Sequence, residues 1–446
     1  MSKESKTRVY TEQSRSTKKK HSFYIRTFGC QMNKNDSSII TDILENNNYR
    51  SVEDPGCADI YIVNTCSVRK HAEQRALGHI SSLKKWADEP DRIVAVVGCM
   101  AQRLAGELTR QYAFVNLVLG PDSYRRIAEF LDQILDTRTR IIETKLGHEV
   151  YGDIFPRRFG ITDFVSIMRG CDNFCTYCIV PYVRGRARSR SADEIMSEMQ
   201  YMVRSGVKDI TLLGQNVNEY SHGNTDFAGL LNMVAQIPEL VRLRFLTSHP
   251  KDLDDAIIKA VKNNDKICEW FHLPLQSGCD RILRLMNRQY TKNDFQELVQ
   301  RIRRKIPDAT VTTDIIVGFP EETEEEFQET VGMMTDIQFD SAYLYRYSAR
   351  QGTRAFEYES LPEPVIKDRL KRIIDVQNEI VISKTRKMID QTCEVLFESP
   401  ALNNATRGKT RGNKDVIVEK EIAPGVLSKV IVKEVRGRTP IAEIIK

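Results

Sequence analysis

A chain of 446 residues with 41% apolar content is long enough for about three domains of roughly 150 residues, each with its own core, which excludes a chain disordered throughout. No run approaches the ~20 apolar residues of a membrane span, and the N-terminus is polar where a secretory signal is apolar, so we expect a cytoplasmic protein whose ten cysteines serve metal or redox chemistry instead of disulfides. The net charge of +5 resides in residues 383–446, with 13 Lys and Arg against 8 Asp and Glu; this suits a polyanion partner, foremost nucleic acid, and equally a solvated surface.

Residues 1–20 end in Lys18-Lys19-Lys20, show no apolar periodicity and read as a mobile leader. Over 21–138, β-branched and aromatic runs alternate with helical patterns: 23–28 then a helix from Asp36, 60–63 then a helix from Val68, 93–97 then a helix from Met100, and 115–119 then a helix after Asp122. This predicts an α/β unit with a doubly wound parallel sheet. Its first three strands each run into a cysteine: Cys30, Cys66 and Cys99. The carboxyl ends of parallel strands share one edge, so these thiols should converge where such folds bind ligands. Cysteines kept for packing would fall inside the strands. The arrangement suits an iron–sulfur cluster with three protein ligands and one open iron.

After a polar connection, a second α/β series spans 157–383, with strands expected near 164–167, 210–213, 243–246, 270–273, 311–317 and 342–347. Six strand–helix units suit a (β/α)6 partial barrel, whose functional residues gather at the carboxyl ends of the strands. Cys171, Gln215, Ser248, His249, Gln276, Gly318 and Arg346 then fall near one mouth. Cys171, Cys175 and Cys178 lie in a single loop and can hold three irons of a cubane, leaving the fourth free to bind and reduce a substrate. A zinc site would want a fourth Cys or His nearby, and a redox pair of Cys175 with Cys178 would leave Cys171 unexplained. Arg184, Arg186, Arg188 and Arg190 alternate with small residues, so in an extended segment they would offer one cationic face to a phosphate backbone. The alternative is salt-bridged helix capping, above all for Arg190. Tyr343, Tyr345 and Tyr347 alternate on the last strand, where inward packing is the expectation and base stacking the alternative.

From about Ile366 a helix leads into 384–446, where runs at 393–397, 416–418 and 430–435 predict a small antiparallel β-barrel. Arg407-Gly408-Lys409-Thr410 is close to a phosphate loop, but Asn403 stands where its first glycine belongs. We therefore read Arg407, Lys409 and Arg411 as RNA-backbone contacts.

The loop Cys171 to Cys178 resembles the signature of the radical S-adenosylmethionine (SAM) superfamily, and its continuation Ile179-Val180-Pro181-Tyr182-Val183-Arg184-Gly185 is similar to the methylthiotransferase branch. Thr27-Phe28-Gly29-Cys30-Gln31-Met32-Asn33, Asn64-Thr65-Cys66-Ser67-Val68-Arg69 and Gly98-Cys99-Met100-Ala101-Gln102 resemble the auxiliary-cluster motifs of that branch, and the last barrel resembles its RNA-binding TRAM domain. The resemblance runs from about Ser22 to the C-terminus. It implies two 4Fe–4S clusters, on Cys171, Cys175, Cys178 and on Cys30, Cys66, Cys99, and a SAM pocket lined by Gly214, Gln215, Gln276, Asp314 and Gly318, with Ser248 at the same mouth. Two positions depart from the family: Glu321 stands where glycine is usual and Cys279 where serine is common. Cys57, Cys268, Cys279 and Cys393 receive no role.

The activity implied is methylthiolation of carbon 2 of isopentenyladenosine beside a tRNA anticodon. One SAM methylates a sulfur on the auxiliary cluster, and another is cleaved to the radical that activates the carbon. The implied partners are the tRNA anticodon loop and a flavodoxin or ferredoxin-like electron donor, and the expected state is a monomer. Family alternatives are a threonylcarbamoyladenosine or a ribosomal-protein substrate. Outside enzymes, the alternative is an iron–sulfur RNA-binding scaffold, whose clusters would need four ligands each.

Overall fold

The computed structural model describes residues 21–156, 159–401 and 404–445, so the expected leader over 1–20 lies outside the described residues. The first unit runs β1 (Ser22–Thr27), α1 (Gln31–Asn46), β2 (Arg50–Ser51), β3 (Ile60–Thr65), α2 (Lys70–Ser82), α3 (Lys84–Ala87), β4 (Ile93–Gly98), α4 (Cys99–Gln111), β5 (Val115–Leu119), α5 (Ile127–Thr137) and β6 (Ile141–Glu143). All of its pairings are parallel, in the order β2-β1-β3-β4-β5-β6. β3 and β4 are buried at every position because helices cover both faces, which is why they read as continuous apolar runs. The two edge strands were not expected, since two or three residues carry no readable alternation. α1 starts at Gln31 and not at Asp36, because its first two turns bury polar Asn33, Asn35 and Asp36, which carry no apolar periodicity.

The second unit contains β7 (Thr162–Ser166), β8 (Met168–Arg169), α6 (Val180–Arg184), β9 (Arg188–Ser189), α7 (Ala192–Arg204), β10 (Asp209–Leu213), the short β11 (Ser221–His222) and β12 (Thr225–Asp226), and α8 (Phe227–Val234). It continues through β13 (Arg242–Phe245), α9 (Asp255–Asn263), β14 (Trp270–His272), α10 (Asp280–Leu285), α11 (Lys292–Lys305), β15 (Thr310–Val317), α12 (Glu324–Ile337) and β16 (Ser341–Arg346). The six expected strands form two parallel halves, β13-β10-β7 and β14-β15-β16, with a parallel bridge from Leu243 to Ile267 beside them and one shared apolar core. This is a partial barrel. The antiparallel pair β8–β9 joins the two ends of the cysteine loop.

α13 (Glu363–Arg386) leads to a closed barrel of β17 (Thr392–Pro400), β18 (Thr406–Thr410), β19 (Asp415–Val418), β20 (Leu427–Arg436) and β21 (Thr439–Ile444). Four pairings are antiparallel, and β19 with β21 is parallel, a departure from the fully antiparallel expectation. The string Arg407-Gly408-Lys409-Thr410, close to a phosphate loop in sequence, lies in strand β18. Two buried arginines of β13 hold this barrel to the second unit. Arg242 donates to the Lys409 and Glu394 carbonyls at 2.6 and 3.2 Å, and Arg244 donates to those of Arg411 and Thr410 at 2.6 and 2.9 Å. Among the described residues, no helix is long and apolar enough to cross a membrane.

Candidate active site

Cys30, Cys66 and Cys99 stand just past the ends of β1, β3 and β4. Cys30 caps α1, and Cys99 begins α4 with no turn between strand and helix. Such close entry needs glycine: a Cβ at Gly29 (φ +132°) would sit 2.4 Å from Cys66 Cβ, and one at Gly98 (φ +97°) would sit 2.5 Å from the Thr65 carbonyl. Buried Asn33 ties the ends of β1 and β3 together, with Nδ2 donating to Asn64 Oδ1 (3.0 Å) and the Thr65 carbonyl (2.9 Å), while its Oδ1 lies 3.3 Å from Cys30 Sγ. The Cys30 thiol is lowered to about 6 by a hydrogen bond with Cys66 and, against the cost of burial, by the Arg184 charge. Cys66 is raised by that same bond and by burial, and Cys99 is raised by burial. The Cys30, Cys66 and Cys99 thiols thus act on one another at one edge of the sheet.

The second trio lies on the loop between β8 and α6. Cys171 and Cys175 are buried, and Cys178 is half-buried and pushed up to about 12 by burial and by Cys175. The loop is fastened by hydrogen bonds to its backbone. Gln215 Oε1 accepts from Gly170 N–H at 2.5 Å, Asn287 Nδ2 donates to the Asn173 and Phe174 carbonyls, and Thr176 N–H reaches the Met286 carbonyl at 3.1 Å. Each trio also receives one buried guanidinium: Arg184 Nε lies 3.2 Å from Cys99 Sγ, and Arg288 Nη1 lies 3.5 Å from Cys175 Sγ. Ile179 and Val183, on the stretch leading out of the loop, pack against Cys99 and join the two trios through apolar contact.

Around this mouth, Asn173 Oδ1, Asn218 Oδ1, Ser248 Oγ, His249 Nε2 and Gln276 Oε1 are buried with no hydrogen-bond partner among the described residues. Orphaned polar atoms of this kind call for a polar ligand. His249 is lowered to about 2 by burial and by the nearby Arg288 and Lys251 charges, so it stays neutral. Its Nδ1 accepts from Lys251 N–H at 3.4 Å, which leaves Nε2 as the protonated, unpartnered donor. Asp314 is half-buried, with an oxygen 3.5 Å from His272 Nε2. Gly214 and Gly318 are explained by packing, since added Cβ atoms would meet Met168 and Ile366. Gln215 is engaged with the loop backbone.

Among the described residues no three His, Cys, Asp or Glu side chains are placed to hold a single metal ion. A cubane presents a separate iron to each thiolate, so its donors need not converge on one point. Both donor sets are all-thiol, which favours iron–sulfur chemistry. Asp36, beside the first trio, has both oxygens taken by Arg169 (2.8 Å) and Arg184 (2.7 Å). The residues present fit a cluster with three protein ligands at each trio.

The cationic face expected from the arginine run does not form. Arg184 is buried in α6 on Asp36, Arg188 pairs with Asp122 at 2.9 Å, and Arg190 is buried on Glu198 at 2.6 Å; Arg186 pairs with Asp172 at 2.7 Å but keeps its side chain 72% exposed. Helix α6 and strand β9 break the extended path that an alternating face requires. Arg411 is likewise redirected, to Glu269 and the Asp265 and Ile267 carbonyls of the second unit. Arg407 is exposed and Lys409 pairs with Asp415 at 3.0 Å, so these two remain at the surface. Inward packing holds for Tyr347. Tyr343 is 49% exposed, and Tyr345 is half-buried with the Arg69 guanidinium 5.9 Å from its ring centre. Sequence reasoning missed Asp36, Arg169 and Arg288. Arg169 had one signal, its place two residues before Cys171; the others had none.

Comparison with known proteins covers most of the chain. Residues 165–334 match the Radical SAM superfamily, and residues 22–120 match the Uncharacterized protein family UPF0004. The tRNA-2-methylthio-N(6)-dimethylallyladenosine synthase of Caldicellulosiruptor saccharolyticus is 43% identical over 90% of this chain and 87% of its own, and that of Clostridium tetani is 43% identical over 89% and 92%. Among solved structures, the radical S-adenosylmethionine methyltransferase TsrM from Kitasatospora setae superposes with a TM-score of 0.56 at 14% identity, covering 74% of this chain and 75% of that one. That likeness concerns the fold. The sequence relatives, matched over nearly their full length and sharing both units, establish that this chain belongs to the family of tRNA-2-methylthio-N(6)-dimethylallyladenosine synthases within the radical SAM superfamily.

Proposed function

We propose that the protein methylthiolates carbon 2 of isopentenyladenosine next to the tRNA anticodon. In this reading Cys171, Cys175 and Cys178 hold the 4Fe–4S cluster that works on SAM, and Cys30, Cys66 and Cys99 hold an auxiliary 4Fe–4S cluster. When bound, the first supplies the electron that cleaves SAM to a carbon radical and the second supplies sulfur. The observation that carries the proposal is the pair of three-thiol sets joined by Arg184, Ile179 and Val183. A scaffold would close each cluster with a fourth ligand.

The chain's own groups have definite tasks. Asn218, Ser248, His249 and Gln276 offer unpaired polar atoms to the polar edges of SAM, and Asn173 does so from inside the cysteine loop. Ile179 and Val183 keep water out of the space between the trios. Exposed Tyr343, with Tyr345 under Arg69, offers an aromatic face to a base that an anticodon loop already presents unstacked. Of the cations expected to meet phosphates, Arg407 is exposed, and Arg186 and Lys409 reach the surface while paired with Asp172 and Asp415. A flavodoxin or ferredoxin-like donor would supply electrons, and a tRNA substrate implies the cytoplasm.

The test is anaerobic reconstitution of the full chain with iron and sulfide, followed by dithionite, SAM and isopentenyladenosine-containing tRNA. 5′-Deoxyadenosine and 2-methylthio-isopentenyladenosine should form, and both should vanish in Cys175→Ala. Formation of 5′-deoxyadenosine without the modified nucleoside would overturn the substrate, and absence of both would overturn the enzyme.

A further inference from the structure

Arg169, Arg184 and Arg188 flank the cysteine loop of the second unit, and all three turn toward the first unit. Arg169 and Arg184 share Asp36 of α1, and Arg188 takes Asp122. Asp36 and Arg169 are fully buried, and Arg184 is 3% exposed. Three guanidinium groups thus face two carboxylates. The other titratable groups near Arg169 and Arg184 are the Tyr124 and Tyr151 hydroxyls and the thiols of Cys30 and Cys99. Burial raises both tyrosines, so they stay neutral and supply no anion. One positive charge is left without a carboxylate in a buried site, and the groups that face it there are the Cys30 and Cys99 sulfurs.

Arg184 also keeps an unused donor. Its Nε–H points to Cys99 Sγ and its Nη2 to Asp36, while Nη1 is buried without a partner among the described residues. Three thiolates outweigh the charge of an oxidised cubane core, so such a body is a net anion with sulfur acceptors on its surface. Its charge and its acceptors answer both the excess cation and the idle donor.

We propose that Arg184 is a positioning residue for the auxiliary cluster: it donates a hydrogen bond to the Cys99 sulfur and supplies the buried counter-charge, so that loading of the first trio and docking of the two units stabilise each other. The inference rests on the assignment of Cys30, Cys66 and Cys99 to that cluster. Hydrogen bonds to cluster sulfurs and nearby positive charge favour the reduced state, which carries one more electron. Without Arg184 the cluster is harder to reduce.

The experiment uses the full chain with Cys171→Ala, Cys175→Ala and Cys178→Ala, so that the auxiliary cluster is observed alone, and follows its reduction by electron paramagnetic resonance at poised potentials. Arg184→Gln should lower the reduced-to-oxidised ratio at fixed potential about tenfold, a shift of about 59 mV for a one-electron couple. Arg184→Lys keeps the charge without the fork and should shift less. Docking is read by hydrogen exchange of α6 with and without iron, where loading should protect α6 in the parent and protect it less in Arg184→Gln. A midpoint unchanged in whichever variants fold would overturn the proposal. A parent that takes up no cluster would overturn the assignment of the first trio itself, a separate failure.

Discussion

Arg184 stands in the sequence as the first of four alternating arginines, yet its guanidinium ends 3.2 Å from a thiol that lies 85 positions earlier. Its fate shows why side-chain roles are less legible than ligand identities. A cysteine trio advertises itself, because thiols are scarce and their chemistry narrow, whereas an arginine can serve a carboxylate, a carbonyl, a sulfur or a phosphate. Cys30, Cys66, Cys99, Cys171, Cys175 and Cys178 stand out in the sequence as candidate ligands, but nothing there singles out Arg288. The polar atoms without partners allow a test at this scale. Ser248→Ala removes one buried hydroxyl, and at about 1 kcal/mol for a lost hydrogen bond the dissociation constant for SAM should rise about fivefold with iron content unchanged. Equilibrium binding of SAM to the loaded protein measures it, and an unaltered constant would take Ser248 out of the pocket.

Elements were legible where they were long and periodic. β3, β4 and the six barrel strands read clearly from their apolar runs, while β2, β6 and β21 gave too little pattern. The start of α12 shows how a local device stabilises an element. Thr323 and Glu326 form a capping box in which Thr323 N–H donates to Glu326 Oε2 at 2.8 Å, and Arg281 grips the same carboxylate at 2.6 and 2.8 Å. The Arg281 hydrogen bonds, foremost, lower Glu326 from the ordinary 4.5 to about 2. The folded state thus binds this proton more weakly than the unfolded chain. The contribution is complete above about pH 4.5 and is lost as pH falls toward about 2. Amides in the first turn of α12 should exchange faster across that window, and Glu326→Gln should flatten the change at a cost of about 1–2 kcal/mol.

At the scale of the whole molecule, buried cations attach the last barrel to the second unit. Arg244 is held between Asp209 at 2.8 Å and the carbonyls of Thr410 and Arg411. Arg244→Ala would leave that carboxylate buried and unpaired, a loss of about 3–5 kcal/mol. The substituted protein should be cut by trypsin between α13 and β17 at protease levels that spare the parent; equal resistance would mean that other contacts carry the docking. The sequence by itself determined the three-unit α/β and β-barrel plan and both thiol trios, because strand periodicity and the siting of cysteines past strand ends are local properties of the chain. Only the tertiary structure decided which cations were free for a polyanion and which were consumed in holding the units together. Charge pairing depends on distances between residues as far apart as Asp36 and Arg169, and no local pattern records those distances.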